Sequence, residues 1–272
     1  MRKIGLHIRL SQTLCEMAQY AHSLNVPIFQ CFFIHQETNQ LVIPDQDQMA
    51  EFLKVWRPLF TDLYLHGSYW INLTSGNSIK IIKRELELAQ KLAFTHIIIH
   101  PGSVRKGTKK NEGIARIAKH LNTILKMDYG IKIVLENSAH AGVCLGGDLH
   151  DFQILREQLD EPEKLFFCID TAHAYVYGYN LAAEAELFKF FTLIEHTIGF
   201  DSIALIHLND TAQKCGSKID KHDTVGQGNL AAILPAFINF PALAKIPIIT
   251  ELPILNNDEE LRVLQTIRSW VL

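Results

Sequence analysis

The chain has no C-x-x-C pair, no long apolar run, no linker-like segment and no excess of positive charge, and each absence removes a class of protein. Its five cysteines, Cys15, Cys31, Cys144, Cys168 and Cys215, are odd in number and widely spaced. That pattern fits neither a disulfide framework nor a cysteine-rich zinc site, and it suits a reducing compartment. No run approaches the ~18 apolar residues of a membrane-spanning helix. The first ten residues carry charges and His7 inside a short apolar stretch, so no secretory segment is expected there. The expectation is a soluble, cytoplasmic monomer with no membrane association. A formal net charge of −3 over 272 residues argues against a nucleic-acid binder that relies on a strongly basic surface, although not against one that carries metal cations. Hydrophobic residues at 48% and charged residues at 20% exclude disorder, coiled coil and low complexity, and supply a buried core. With no Pro/Gly/Ser-rich break in composition, residues 1–272 are expected to form one domain.

What is present is histidine, thirteen in all, set within a recurring pattern. Short β-branched apolar runs occur at Ile4–Ile8, Val26–Phe33, Leu63–His66, His96–His100, Lys132–Glu136, Leu165–Asp170, Ile203–Leu208 and Ile246–Glu251. Between them lie segments of helical spacing, among them Ser78–Leu92, Asn111–Met127, Leu149–Leu159, Glu184–Thr197 and Asp258–Leu272. Eight strand-helix units in one chain of this length predict a (β/α)8 TIM barrel, with a doubly wound sheet as the competing arrangement. The first helix is poorly punctuated. Ile34–Asp47 and Asn209–Asn229 lack periodicity and are expected to be long loops, the kind on which barrels build function.

The residues that end these runs carry the chemistry. The third to eighth strands terminate in His66, His100, Glu136, Asp170, His207 and Glu251, all able to bind metal or move protons. On a barrel their C-terminal ends share one rim, so residues spread from position 66 to 251 converge. One such residue alone reads as a hydrogen-bonded structural histidine or a helix N-cap. Six in succession do not. His173, three residues beyond Asp170, and the pair Asp220 and His222 in the glycine-flanked loop add ligand types. Nine oxygen and imidazole donors without a thiolate suit zinc or manganese and exceed what one ion uses, so two or three clustered ions are implied. Such clusters are standard apparatus for phosphodiester hydrolysis. No G-x-S-x-G nucleophile motif competes, and Gly226-Gln-Gly228 reads as turn punctuation rather than a phosphate loop.

These strings resemble the endonuclease IV family of apurinic/apyrimidinic (AP) endonucleases. The resemblance rests on His66-Gly-Ser-Tyr-Trp-Ile-Asn-Leu73, His100-Pro-Gly-Ser103, Leu135-Glu-Asn-Ser138, Cys168-Ile-Asp-Thr-Ala-His-Ala174, Ile206-His-Leu-Asn-Asp210, Asp220-Lys-His222 with Gly226-Gln-Gly-Asn229, and Thr250-Glu251. They stand in the family's order over nearly the whole chain. The resemblance implies a barrel with three Zn2+ ions: His66, His100 and Glu136 on the first, the bridging Glu136 with Asp170, His207 and Glu251 on the second, and His173, Asp220 and His222 on the third. It implies Glu136 and Glu251 as catalytic carboxylates, and as substrate double-stranded DNA cut 5′ to an abasic site in base excision repair. Three ions would bring the formal total from −3 to +3, so the acidic balance would not count against DNA. His7, Tyr69 and Trp70 are the implied DNA contacts, Tyr69 and Trp70 as wedges or with Trp70 packed as core.

The departures lie in the loops. Gly5-Leu-His7 is kept, but Arg9-Leu-Ser-Gln-Thr13 replaces the family's small residues, and His35-Gln-Glu-Thr-Asn-Gln-Leu41 lacks the arginine that enters DNA in relatives. Two other functions share the barrel. A single-metal sugar isomerase or epimerase would use Glu136, Asp170, His207 and Glu251 and leave the remaining histidines idle. A nucleic-acid-binding barrel without incision would keep the metals and lose the reaction.

Overall fold

The structure, a computed structural model, describes residues 2–10, 13–139 and 144–272. Ser11 and Gln12 of the altered first loop lie outside the described residues. The strands in chain order are β1 (Ile4–His7), β2 (Ile28–Cys31), β3 (Ile34–His35), β4 (Gln40–Leu41), β5 (Asp62–His66), β6 (His96–Ile99), β7 (Lys132–Glu136), β8 (Leu165–Asp170), β9 (Ile203–His207) and β10 (Ile248–Thr250). All but β3 and β4 close into a parallel barrel in the order β1-β10-β9-β8-β7-β6-β5-β2. The structure is thus the (β/α)8 barrel, not the doubly wound sheet.

Helices α1 (Leu14–Ser23), α2 (Gln46–Glu51), α3 (Asn77–Lys91), α4 (Lys110–Leu125), α5 (His150–Arg156), α6 (Thr171–Tyr177), α7 (Glu184–Thr197), α8 (Leu234–Ile238) and α9 (Asn257–Trp270) are the helical segments between and after the strands. The amphipathic ones work as their spacing implies: α3 buries Ile82, Leu86 and Ala89, and α4 buries Ile114, Ile117, Ala118 and Leu121. Burying each of the larger side chains is worth about 1.5–3 kcal/mol. Two local expectations need correction. α1 is well punctuated, since Thr13 and Glu16 form a reciprocal capping box. Within Ile34–Asp47, β3 and β4 pair antiparallel as a hairpin whose two-residue strands are too short to show a period. Asn209–Asn229 is a loop as expected. It is pinned by Asp210, whose carboxylate accepts the backbone N–H groups of Gly226, Gly228 and Leu230. A Cβ at Gly228 would stand 2.4 Å from Asp210 Oδ1, which explains that glycine as turn chemistry.

The barrel interior positions the site. Residues along a strand alternate between helix-facing and inward positions. Ile28, Tyr64, Ile98, Val134, Cys168, Leu205 and Ile249 form one buried inward layer, one from each of seven strands. The eighth strand contributes Gly5, where a Cβ would meet the Ile28 carbonyl oxygen at 2.1 Å. A step of two from these eight, toward the C-terminal rim, gives His7, Gln30, His66, His100, Glu136, Asp170, His207 and Glu251. The layer directly below the rim is apolar but for the Tyr64 hydroxyl. At the rim every strand, or the residue just after it, offers a polar side chain.

Candidate metal centre

β5, β7, β8 and β9 end on their ligand-type residues, while His100 and Glu251 lie one residue past β6 and β10. The topology brings all nine predicted donors together in three overlapping groups. His66, His100 and Glu136 are mutually within 4.8 Å through one ligand atom each. So are Glu136, Asp170, His207 and Glu251, and a third group holds Asp170, His173 and His222. Asp220 joins this last group, with Oδ1 3.2 Å from His173 Nε2 and 3.4 Å from His222 Nε2. Glu136 belongs to two groups: Oε2 lies 3.4 Å from His66 Nε2 and 3.5 Å from His100 Nε2, and Oε1 lies 2.7 Å from His207 Nδ1.

The imidazoles are aimed. His66 Nδ1 donates to the Gly67 carbonyl at 2.8 Å, His173 Nδ1 to the Asn137 carbonyl at 2.9 Å, and His222 Nδ1 to the Glu251 carbonyl at 3.2 Å. A carbonyl can only accept, so these bonds place the proton on Nδ1 and turn Nε2 toward the centre. His207 is reversed. Its Nε2 donates to Gln30 Oε1 at 2.9 Å and its Nδ1 faces Glu136.

Gln30 is the site residue that sequence reasoning missed. Fully buried in β2, it also donates through Nε2 to Glu251 Oε1 at 2.7 Å and His7 Nδ1 at 2.8 Å. The signal was a lone amide inside an apolar run. Asn209 was missed too; its amide donates to Asp170 Oδ2 at 2.6 Å and its Oδ1 accepts the Glu251 N–H at 2.7 Å. Asp170 has the bland role and the interesting one together, because it also caps α6 by accepting the His173 N–H at 2.8 Å.

The electrostatics separate the carboxylates. Burial pushes Glu136 up, but the neighbouring His207 and His100 outweigh it and hold the carboxyl well below the usual range. Burial raises Asp170, with His173 and His222 opposing. Asp220 is held low: burial raises it, and His173 and His222 outweigh that. Glu136 Oε2 and His222 Nε2 are buried without a hydrogen bond among the described residues, a cost of about 1–3 kcal/mol each unless a further group meets them. With inward-aimed nitrogens and carboxylate oxygens around them, divalent cations fit these places. Cys168 lies beside Glu136 and His207. Burial pushes its thiol up to about 12.

A cavity of about 1020 Å3 opens over the centre, lined by His7, His100, His173, Asp220, His222 and Glu251 on one side and by the β3–β4 hairpin and Tyr69 on the other. Tyr69 is 61% exposed and Trp70 54%, so Trp70 is not core. It is tethered instead: the indole N–H donates to the Gln36 carbonyl at 2.7 Å, and Gln36 Oε1 accepts the Tyr69 N–H at 3.0 Å. His7 is nearly buried, its ring 4.7 Å from that of Phe32. Beneath this loop, Glu85 of α3 is fully buried and accepts the Ser68 N–H through both oxygens at 3.3 and 3.4 Å. Burial pushes its carboxyl up to about 8.

The family model of the xylose isomerase-like TIM barrel matches residues 18–267. A probable endonuclease 4 of Campylobacter concisus is 32% identical over 263 residues, covering 92% of this chain and 92% of its own. Another from Thermotoga maritima is 28% identical and covers 93% and 91%. The crystal structure of endonuclease IV from Thermus thermophilus superposes with a TM-score of 0.83 over 98% of each chain at 22% identity, a likeness that shows the fold.

Proposed function

The chain belongs to the endonuclease IV family of xylose isomerase-like TIM barrels, and on that premise we propose that it is a zinc-dependent AP endonuclease that hydrolyses the phosphodiester 5′ to an abasic site in double-stranded DNA. It is a metal-dependent DNA phosphodiesterase by family. The finer reading is three zinc ions: one at His66, His100 and Glu136, one at Glu136, Asp170, His207 and Glu251, and one at His173, Asp220 and His222. The observation that carries it is Glu136, whose two oxygens serve two donor groups at once. When bound, clustered divalent ions lower the pKa of water and stabilise charge on the attacking and leaving oxygens of a phosphodiester.

The chain's own residues do the rest. Gln30 and the backbone carbonyls of Gly67, Asn137 and Glu251 orient four imidazoles, which reduces the reorganisation needed when substrate binds. Gln30 donates to His7 Nδ1, leaving the His7 proton on Nε2, available to a phosphate oxygen. Exposed Tyr69 and tethered Trp70 stand at the cavity mouth, where aromatic rings stack on bases. We place the enzyme as a monomer in the cytoplasm. A single-metal isomerase would give no task to His66, His100, His173, Asp220 and His222, which supports the nuclease over it.

The test is a duplex oligonucleotide with one abasic site. Incision should leave a 3′ end that a polymerase extends without further processing, and chelation should abolish it, with zinc but not magnesium alone restoring it. Intact substrate, or a blocked 3′ end, would contradict the proposal.

A further inference from the structure

The β3–β4 hairpin at the cavity mouth offers Gln36 and Glu37 and no Lys or Arg, so phosphate grip must come from elsewhere on the rim. The loop between β6 and α4 carries Arg105, Lys106 and Lys109, all exposed. None makes a side-chain hydrogen bond or an ion pair among the described residues. This differs from the neighbouring Lys110, which is neutralised by Asp151 at 2.6 Å and Asp148 at 3.6 Å, and from Lys126, Lys164 and Lys189, each paired with a carboxylate. Glu112, one turn into α4, pairs with none of the three. Three cations thus stand within five residues of a chain whose formal sum is −3.

Their base is rigid. Asn72 Nδ2 and Thr74 Oγ1 both donate to the Ser103 carbonyl at 2.9 Å, the Leu145 N–H donates to the Gly102 carbonyl at 3.0 Å, and Val104 is buried. Gly102 has φ +92°, and a Cβ there would stand 2.3 Å from Asn72 Oδ1. Beyond this anchor the chain turns, with the Thr108 N–H on the Arg105 carbonyl at 3.0 Å and Gly107 at φ +88°. A second groove of about 520 Å3 runs from Tyr69, His100 and Asp220 past Gly102 and Ser103. It leads from the metal centre to the root of the basic loop, and Asp220 is the one acidic residue among its described lining residues.

We propose that this groove, continued by Arg105, Lys106 and Lys109 in the loop that follows its lining residues Gly102 and Ser103, carries the phosphate backbone of the DNA and supplies the cationic grip that the β3–β4 hairpin does not offer. The inference rests on the DNA reading of the site and extends it to a surface. Neutralising a phosphate releases condensed counterions, so each contact adds about 0.9 to the slope of log affinity against log salt. Three contacts amount to about 2–3, or roughly 40-fold more affinity lost by the wild type than by a charge-free loop between ~50 and ~200 mM salt.

The experiment compares wild type, the triple variant Arg105→Ala/Lys106→Ala/Lys109→Ala and the charge-keeping Arg105→Lys/Lys106→Arg/Lys109→Arg. Binding is read by fluorescence anisotropy on an undamaged duplex over a salt series, and kcat and KM on the abasic duplex. The alanine variant should have a slope shallower by about 2–3, a KM raised at least tenfold, and unchanged kcat and metal content. The charge-keeping variant should retain the wild-type slope. An alanine variant with wild-type slope and KM would overturn the inference while incision by the wild type left the function intact. A steep wild-type slope lost in the alanine variant, with no incision by any protein, would keep the surface and overturn the nuclease reading.

Discussion

Gln30→Met keeps the length and most of the volume of a fully buried side chain while removing both of its hydrogen-bonding ends. Three partners lose a bond: His207 Nε2 at 2.9 Å, Glu251 Oε1 at 2.7 Å and His7 Nδ1 at 2.8 Å. The bond to the Glu251 carboxylate is of the charged class, about 1.5–3 kcal/mol, and the stranded His207 N–H adds a further 1–3 kcal/mol or so. His207 then has no partner to hold the proton on Nε2, and its ring is free to present the wrong nitrogen to the group it shares with Glu136, Asp170 and Glu251. Loss of such an orienting partner costs about 10–100-fold in metal affinity, or roughly 1.4–2.7 kcal/mol. Zinc competition against a chromophoric chelator should therefore show one weakened site and the others near wild type. Excess zinc should restore most of the incision rate. Equal weakening at every site, or unchanged affinity with a thermal stability loss in the metal-free protein that accounts for the whole defect, would make Gln30 a packing residue and refute the reasoning.

Other outcomes follow from the same geometry. Glu136→Gln keeps the shape but removes the negative charge that two donor groups share, so it should lose metal and at least about two decades of rate; incision within about threefold of wild type would end the bridging role. Glu85, raised in the folded state from 4.5 to about 8, stabilises fully below pH ~4.5 and progressively less as pH rises toward ~8, by up to a value on the order of 5 kcal/mol. Glu85→Gln should thus gain stability relative to wild type between pH 5 and 8.5 in thermal unfolding, and a pH-independent difference would contradict the assignment. Trp70→Ala should weaken incision of intact duplex more than of a substrate frayed at the lesion, with zinc content unchanged, since stacking contributes about 1–3 kcal/mol only where a base must be parted from its neighbour.

Much of the site was legible because chemistry and secondary structure coincide at strand ends. A residue two steps past an apolar inward position must also face inward, so His66, His100, Glu136, Asp170, His207 and Glu251 announced both their strands and their meeting point. Gln30 obeys the same step from Ile28, yet an amide is not among the usual zinc ligands and does not titrate, and its run continues apolar through Phe33. The β3–β4 hairpin was hidden because two-residue strands leave no alternation to count. Helix α6 was hidden by its own interest, Asp170 and His173 being read as ligands when Asp170 is also an N-cap. The tether from Trp70 to Gln36 joins two loops through a backbone carbonyl, which no side-chain pattern encodes. Arg105, Lys106 and Lys109 were plain in the sequence, but only the groove leading to them gives their charge a direction.

Whether nine donors hold three ions is read from the metal content of the protein purified without added metal, by plasma emission spectroscopy against amino-acid analysis. About three zinc equivalents per chain are expected, falling by more than one in Glu136→Gln. A single ion retained at Glu136, Asp170, His207 and Glu251, with His66 and His222 holding no metal, would contradict it and move the chain toward the one-metal barrels.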